Sequence, residues 1–360
     1  MTTSNPPSSA RIRADIDLSA VQSNARTVAH AAGDARLLPM VKASAYGLGA
    51  VPVARALEQV EPWGFGVATV EEGVELRMAG IGRPIIVFTP LQRGTGELFL
   101  QHGLRPVIGD SEALREWTQA GEKPFHVEID TGMGRAGYSW RDPAGIAQLG
   151  GMLGEARGWE GVFTHFHSAD IQASSIDQQW HRFQDILAAL PRRPELVHAA
   201  NSSAALRDRR YAADMVRPGI FLYGGEAGGR YPSTVVTVRS RVVAVRRVTA
   251  GDSVSYGATW TAPEDTTIAT LGCGYADGIH RALSNRGKVE LNGVIASIVG
   301  WVSMDMTMVA VPAGLRVVPG DEAVVLGGRV PLDQQAAAAG TIAYELLTSL
   351  GGRVERHYHQ

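Results

Sequence analysis

Lys42 sits in the apolar run MVKASAYG (40–47), and that setting is the first chemical signal in the chain. An ammonium ion is costly to hold among apolar neighbours, so a lysine there is expected to be neutral or covalently engaged. A desolvated lysine amine is a good nucleophile toward a carbonyl, with which it forms an imine. Tyr46 follows one helical turn later. Further along, Asp130-Thr-Gly-Met-Gly-Arg135, His165, Asn201-Ser202, and Arg217 with Gly219 mark the ends of other short apolar runs. A functional cluster requires that the fold bring those ends together.

The elements that would do so are legible between about residues 11 and 235. LLPMVKA (37–43), WGFGVAT (63–69), PIIVFT (84–89), LRPVIGD (104–110), FHVEID (125–130), GVFTHF (161–166), LVHAAN (196–201) and MVRPGI (215–220) make eight strand-like runs. Between them lie VPVARALEQV, VEEGVELRMAG, SEALREWTQAG and IDQQWHRFQDILAAL, with apolar residues at helical spacing. Continuous apolar strands alternating with helices imply parallel pairing, and eight such units imply a (β/α)₈ TIM barrel over 11–235. An open doubly wound sheet would carry a Gly-rich nucleotide turn after its first strand, and the sequence has none. In a barrel, Ser202 and the amides around Gly219 follow strands seven and eight, where many barrels bind phosphate. A lysine imine beside a phosphate pocket points to pyridoxal phosphate. Residues 236–360 read as a mostly β C-terminal domain, with STVVTVRSRVVAVRRV, TTIATLGCGY and GDEAVVLGG as β-branched runs. Asn292-Gly293 signals a hairpin, and TIAYELLTSLG a final helix. Residues 1–10, polar and carrying two prolines, read as a loose leader.

Composition limits the partners. The 34 basic and 36 acidic residues leave a formal charge of −2 across 360 residues, so no basic field exists to hold nucleic acid. Hydrophobic residues at 45% and charged residues at 19% are globular values. The single cysteine, Cys273, excludes an internal disulfide and any CxxC site. No apolar run has the length of a signal core or a membrane span. A soluble, cytoplasmic protein is expected, with no membrane partner and no metal site; His357 and His359 read as an exposed chain end.

VKASAYG, DTGMGRAG, THFHSAD, AANSSA, MVRPGIFLYG, VSYGATW, GYADG, WVSMD and YELL occur in the order found in alanine racemases, and the resemblance spans about residues 11–357. It implies a pyridoxal-phosphate barrel, a C-terminal β domain, and a head-to-tail homodimer whose active sites combine both subunits. The implied reaction is interconversion of L- and D-alanine, supplying D-alanine for peptidoglycan. By this resemblance Lys42 holds the cofactor, and Tyr46, Ser202, the amides of Gly219 and Ile220, and Tyr223 bind its phosphate. Arg217 faces the pyridine nitrogen with His165 beside it, and Arg135 lies near the phenolic oxygen and the substrate carboxylate. Tyr256 is the second catalytic base, reaching in from the other subunit. Met304 offers its amide to the substrate carboxylate, and Tyr275 lines the entrance.

The chain also departs from the family pattern. Leu48 stands where the family has histidine, Trp301 where it has arginine, and Ile279-His280 where it has Tyr-Pro. Gly352 replaces a tyrosine of some members. Glu128 occupies the place of a carbamylated lysine in some relatives, where a native carboxylate could orient Arg135 unaided. These changes leave room for a related enzyme acting on another small amino acid such as serine, or in specialised metabolism. A non-catalytic cofactor carrier built on a single barrel would lack both the C-terminal domain and a Tyr256 equivalent. Taken alone, His165 reads as a core histidine, and Asp277 and Asp305 as carboxylates bonding within glycine-rich turns. Met306 and Met308 read as core filler, and Arg239, Arg241, Arg246 and Arg247 as a solvated face or intersubunit ion pairs. The glycines of DTGMGRAG match no nucleotide-loop spacing.

Overall fold

The computed structural model describes residues 10–171 and 173–360, so the expected leader lies, but for Ala10, outside the described residues. The first strand, β1 (Ile12–Asp17), reads IRADID, with Ile12, Ala14 and Ile16 buried and the three residues between and after them half-covered. This period of two suits a sheet with one wet face, not a barrel strand covered on both sides. Accordingly β1 does not open the barrel, as a start near residue 11 would require, but joins the C-terminal sheet. The chain forms two compact units, one of Val21–Ser233 and one that combines the segment up to Ala20 with Thr234–Gln360.

The first unit holds β2 (Arg36–Leu37), β3 (Phe65–Val67), β4 (Ile85–Pro90), β5 (Arg105–Ile108), β6 (Phe125–Asp130), β7 (Tyr138–Ser139), β8 (Trp159–Phe163), β9 (Leu196–Asn201) and β10 (Met215–Arg217). All neighbours pair in parallel, in the order β2-β10-β9-β8-β6-β5-β4-β3, with β7 as a short addition to β6. A bridge between Met40 and Gly66 joins the two ends of this path, with Gly66 N donating to Pro39 O at 2.9 Å and Val41 N to Gly66 O at 2.8 Å. The ring is thereby closed, and the eight expected strands are its eight staves. Leu38, Ile86, Val107, Phe163, Leu196 and Met215 form a buried cluster against Trp63 and Phe88. The helices expected from spacing appear as Ala50–Leu57, Val70–Met78, Ser111–Gln119 and Ala173–Ala189.

The second unit holds β11 (Val236–Val248), β12 (Ser253–Val254), β13 (Trp260–Thr261), β14 (Thr266–Leu271), β15 (Lys288–Leu291), β16 (Val294–Ile298), β17 (Thr307–Val311), β18 (Glu322–Leu326) and β19 (Glu355–His359). Its sheet runs β14-β17-β16-β15-β18-β11-β1-β19, and a further β11–β14 pairing closes the first six into a small barrel. Asn292 (φ 46°) and Gly293 (φ 82°) form the two-residue turn between β15 and β16, where the left-handed backbone favours this pair. The basic cluster is partly spent within the chain: Arg239 pairs with Asp15 at 3.0 Å across the β1–β11 contact. The terminal helix forms as Ala343–Thr348, and a second one, Leu332–Ala339, covers the AAAAG segment that composition alone did not mark.

β1 lies between β11 and β19, so the C-terminal sheet is interrupted without it. Burial of Ile12 and Ile16 alone is worth about 1.5–3 kcal/mol each. A fragment of residues 234–360 is expected to show no cooperative thermal transition by near-ultraviolet circular dichroism, and to gain one when a peptide of residues 10–20 is added. A fragment that melts cooperatively by itself would refute this dependence.

Candidate active site

The barrel strands end on a tightly wound segment around Lys42. The residues after it, Ala43, Ser44, Ala45 and Tyr46, all take positive φ, between 51° and 57°. Left-handed turns cost L-residues roughly 1–2 kcal/mol each, so such a run persists only where the surroundings hold it. Here Ala45 N bonds Val41 O at 2.8 Å, Gly47 N bonds Ala43 O at 2.8 Å, and Gly49 N bonds Ser44 O at 2.7 Å. The Glu72 carboxylate accepts from Ala43 N at 2.6 Å, and from Ala68 N at 2.7 Å, while forming a capping box with Thr69. The T-x-x-E spacing of that box is readable in the sequence, but its reach to the Lys42 turn is not.

The turn carries Tyr46 back under the last strand. Its ring stacks on Tyr223 at 4.6 Å, and the Tyr223 hydroxyl donates to Met40 O at 2.7 Å. Gly219 N donates to Ser202 Oγ at 2.9 Å. A Cβ at position 219 would stand 2.2 Å from the Tyr46 hydroxyl, so a glycine is required for close approach here and not for its φ. Ser202, Ile220 and Tyr223 are buried around this cradle.

Arg217 is 4% exposed yet, among the described residues, bonded to no carboxylate. It donates to Thr164 O at 2.9 Å, Ala199 O at 3.1 Å and His198 Nδ1 at 2.8 Å, with His165 Nδ1 at 3.4 Å. Burial pushes its pKa down to about 9, against the pull of Glu128, which still leaves it charged at neutral pH. His165 is held neutral: burial first, then Arg217, Arg135 and Lys42, push its pKa down to about 3. Burial lowers the Lys42 ammonium as well, helped by Arg135 and Arg217 and opposed by Glu72. His198 escaped sequence reasoning because a histidine inside the run LVHAAN looks like core filler.

Glu128 lies in the place expected of an Arg135 partner, with Oε1 at 3.8 Å from Nη2, an ion pair without a hydrogen bond. Its own carboxyl is raised by burial against the opposing effects of Arg135 and Arg217. Gly137 (φ 99°) lets the DTGMGRAG loop pass over it, since a Cβ there would meet Glu128 O at 2.6 Å. Asp130 ties the same loop by accepting from the amides of Gly132 and Gly134.

The barrel thus brings together Lys42, Tyr46, Arg135, His165, Ser202, Arg217, Gly219, Ile220 and Tyr223. Tyr256, Tyr275 and Met304 belong to the second unit. Tyr256 is 70% exposed, and Met304 53%. Ser255 Oγ, beside Tyr256, donates to Trp301 O at 2.7 Å, and Tyr275 N to Ser303 O at 3.0 Å, so these loops are tied to one another, and Tyr275 and Met306 are exposed as well. Met306 is therefore surface and not core filler. Of the departures, Leu48 and Ile279 are buried, Trp301 lies under the Arg281 guanidinium at 4.2 Å, and Gly352 faces open space. Asp277 and Asp305 both pair with Arg353. Among the described residues, no group of three or more His, Cys, Asp or Glu side chains is arranged to hold a metal ion. Nor is any helix among them long and apolar enough to cross a membrane.

A half-buried amine amid two arginines, set at one end of a closed parallel barrel, suits a carbonyl compound carrying its own negative charge. Comparison with known proteins narrows this further. Residues 16–227 match the family model for the alanine racemase N-terminal domain, and residues 235–358 that for the C-terminal domain. The alanine racemase of Carboxydothermus hydrogenoformans is 40% identical, over 96% of this chain and 98% of its own. The crystal structure of alanine racemase from Bartonella henselae with covalently bound pyridoxal phosphate superposes with a TM-score of 0.91 at 32% identity, covering 97% of this chain and 100% of that one. Alanine racemase from D-cycloserine-producing Streptomyces lavendulae gives 0.90 at 35% identity, covering 99% and 98%. The chain belongs to the alanine racemase family.

The neutral histidines give the site a pH signature. An unfolded histidine takes a proton near pH 6.5, whereas folded His165 does not until about 3, and burial lowers His126 and His198 in the same direction. The unfolded state therefore binds more protons below pH 6.5, and stability falls as pH drops toward 3. Each such histidine contributes a slope of up to about 1.4 kcal/mol per pH unit. Urea midpoints are expected to be lower at about pH 5 than at about pH 7.5, and His165→Asn to flatten the difference; equal midpoints in the unsubstituted protein would contradict this.

Proposed function

We infer that this chain is an alanine racemase that uses pyridoxal phosphate. The observation that carries the reading is the half-buried Lys42 amine inside a field of Arg135 and Arg217, on a chain that matches both family domains. The residues present fit the cofactor. Its aldehyde suits a lysine whose ammonium form is disfavoured, and its phosphate suits the Tyr46, Ser202, Gly219, Ile220 and Tyr223 cradle. Its negative charge would offset the repulsion among Lys42, Arg135 and Arg217. When bound, pyridoxal phosphate supplies an electron sink that acidifies the α-carbon of an attached amino acid.

The remaining work falls to the chain. Racemisation needs proton donors and acceptors on opposite faces of one carbon. Lys42 is one such group, because desolvation and neighbouring cations lower its ammonium and favour the amine form that can take a proton. Tyr256 is the other, and its exposure leaves the hydroxyl free to enter a site completed by a second copy of the chain. Arg217 would give the ring nitrogen a hydrogen bond but no proton, which would limit the electron sink and discourage transamination. Arg135 and the amide of Met304 hold the substrate carboxylate, and Tyr275 lines the way in. The dimer in this reading is head to tail, the compartment is the cytoplasm, and the D-alanine formed serves peptidoglycan.

Borohydride reduction of the cofactor-loaded protein, followed by peptide mapping, is expected to label the peptide that contains Lys42, and Lys42→Ala to abolish the label. Tyr256→Phe is expected to retain the label and to lose racemisation in both directions, by on the order of 10²–10⁴-fold, since each direction uses the groups on both faces. A label on another lysine, or wild-type rates in both variants, would overturn the assignment.

A further inference from the structure

Behind Arg217 a line of buried polar groups runs through the barrel toward the amino ends of its strands. His198 Nε2 lies 2.9 Å from His126 Nδ1, and His126 Nε2 lies 3.1 Å from Glu160 Oε2. Glu160 in turn accepts from Arg105, Nε at 2.6 Å and Nη2 at 3.2 Å. Both imidazoles are fully buried. The cradle is shaped for them: a Cβ at Gly161 would stand 2.1 Å from His126 Nδ1, Phe163 stacks on His198 at 4.9 Å, and Trp63 meets His126 edge-on at 6.1 Å.

The chemistry at the two ends fixes every proton between them. A guanidinium can only donate, so His198 Nδ1 is a lone pair and the His198 proton sits on Nε2. That N–H donates to His126 Nδ1, which places the His126 proton on its own Nε2, facing a carboxylate that can only accept. Reversing any one bond would set N–H against N–H at Arg217. Burial keeps both rings neutral, as this order of protons requires.

We propose that Glu160 and His126 are positioning residues that act through His198 to fix the direction and hold of Arg217, the group that meets the cofactor ring. A buried cation without a direct carboxylate partner is expensive, and a polarised chain ending on Glu160 supplies part of the missing negative charge at a distance. The effect at the cofactor rests on the functional reading above, whereas the hydrogen-bond chain does not.

Histidine-selective ¹⁵N labelling of the full-length, cofactor-loaded protein tests both. Long-range ¹H–¹⁵N correlation is expected to show His126 and His198 neutral, each protonated on Nε2. A proton on His198 Nδ1, in either the neutral or the charged ring, would overturn the chain. Glu160→Leu removes the terminal acceptor and is expected to shift His198 out of its Nε2–H form, with kcat down about tenfold and KM changed by less than about threefold. Glu160→Gln, which keeps an acceptor oxygen but not the charge, is expected to restore the tautomer and part of kcat. A folded Glu160→Leu variant with unchanged His198 signals and kcat would refute the proposal. Should that variant not fold, His126→Phe is held to the same expectation and the same refutation. Expected tautomers in a wild-type protein that racemises nothing would count against the racemase reading and leave the chain standing.

Discussion

Lys42, Arg135 and Arg217 put three cationic side chains within electrostatic reach of one another, opposed by Glu72 at Lys42 and by Glu128 at Arg217. Like charges gathered at low dielectric are unfavourable, and the fold spends much of its local structure holding them there. Arg217 is held by two carbonyls and an imidazole lone pair, and the Lys42 turn by a carboxylate on its first amide. Burial first, and this repulsion after it, lowers the Lys42 ammonium and holds His165 neutral. An anionic, carbonyl-bearing ligand suits such an arrangement.

The alternation of eight apolar runs with amphipathic helices was enough to expect the barrel, because strands covered on both faces need no polar side. Lys42 stood out through the cost of a cation in such a run, and the family motifs supplied roles for residues whose types alone left them open. What stayed hidden depended on tertiary placement. β1 alternates buried and half-covered residues, a pattern that belongs to a half-wet sheet, but nothing local shows that its partners lie more than two hundred residues away. His126 and His198 sit in strand-like runs that look like ordinary core, Glu160 stands just ahead of another, and only the register of β6, β8 and β9 aligns them into one line. The left-handed run after Lys42 was equally hidden, since Ala43, Ser44 and Ala45 carry none of the glycine that usually marks positive φ.

The position of β1 bears on how the molecule forms. The chain starts in one unit, builds the whole of the other from Val21 to Ser233, and returns to finish the first. The second unit therefore depends on β1 pairings more than two hundred residues apart in sequence, whereas most barrel pairings join neighbouring βα units and its β10–β2 pairing is distant. Tyr256, Tyr275 and Met304 are carried by the second unit, and Lys42 with its cations by the first.

The account stands or falls on proton chemistry at the α-carbon. The direct measurement is incubation of the pyridoxal-phosphate-loaded protein with L-alanine in D₂O, with proton NMR following the α-proton and chiral chromatography the enantiomers. The account predicts that the α-proton is lost while D-alanine accumulates. An α-proton that stays in place with L-alanine and with every other small amino acid tried would contradict it.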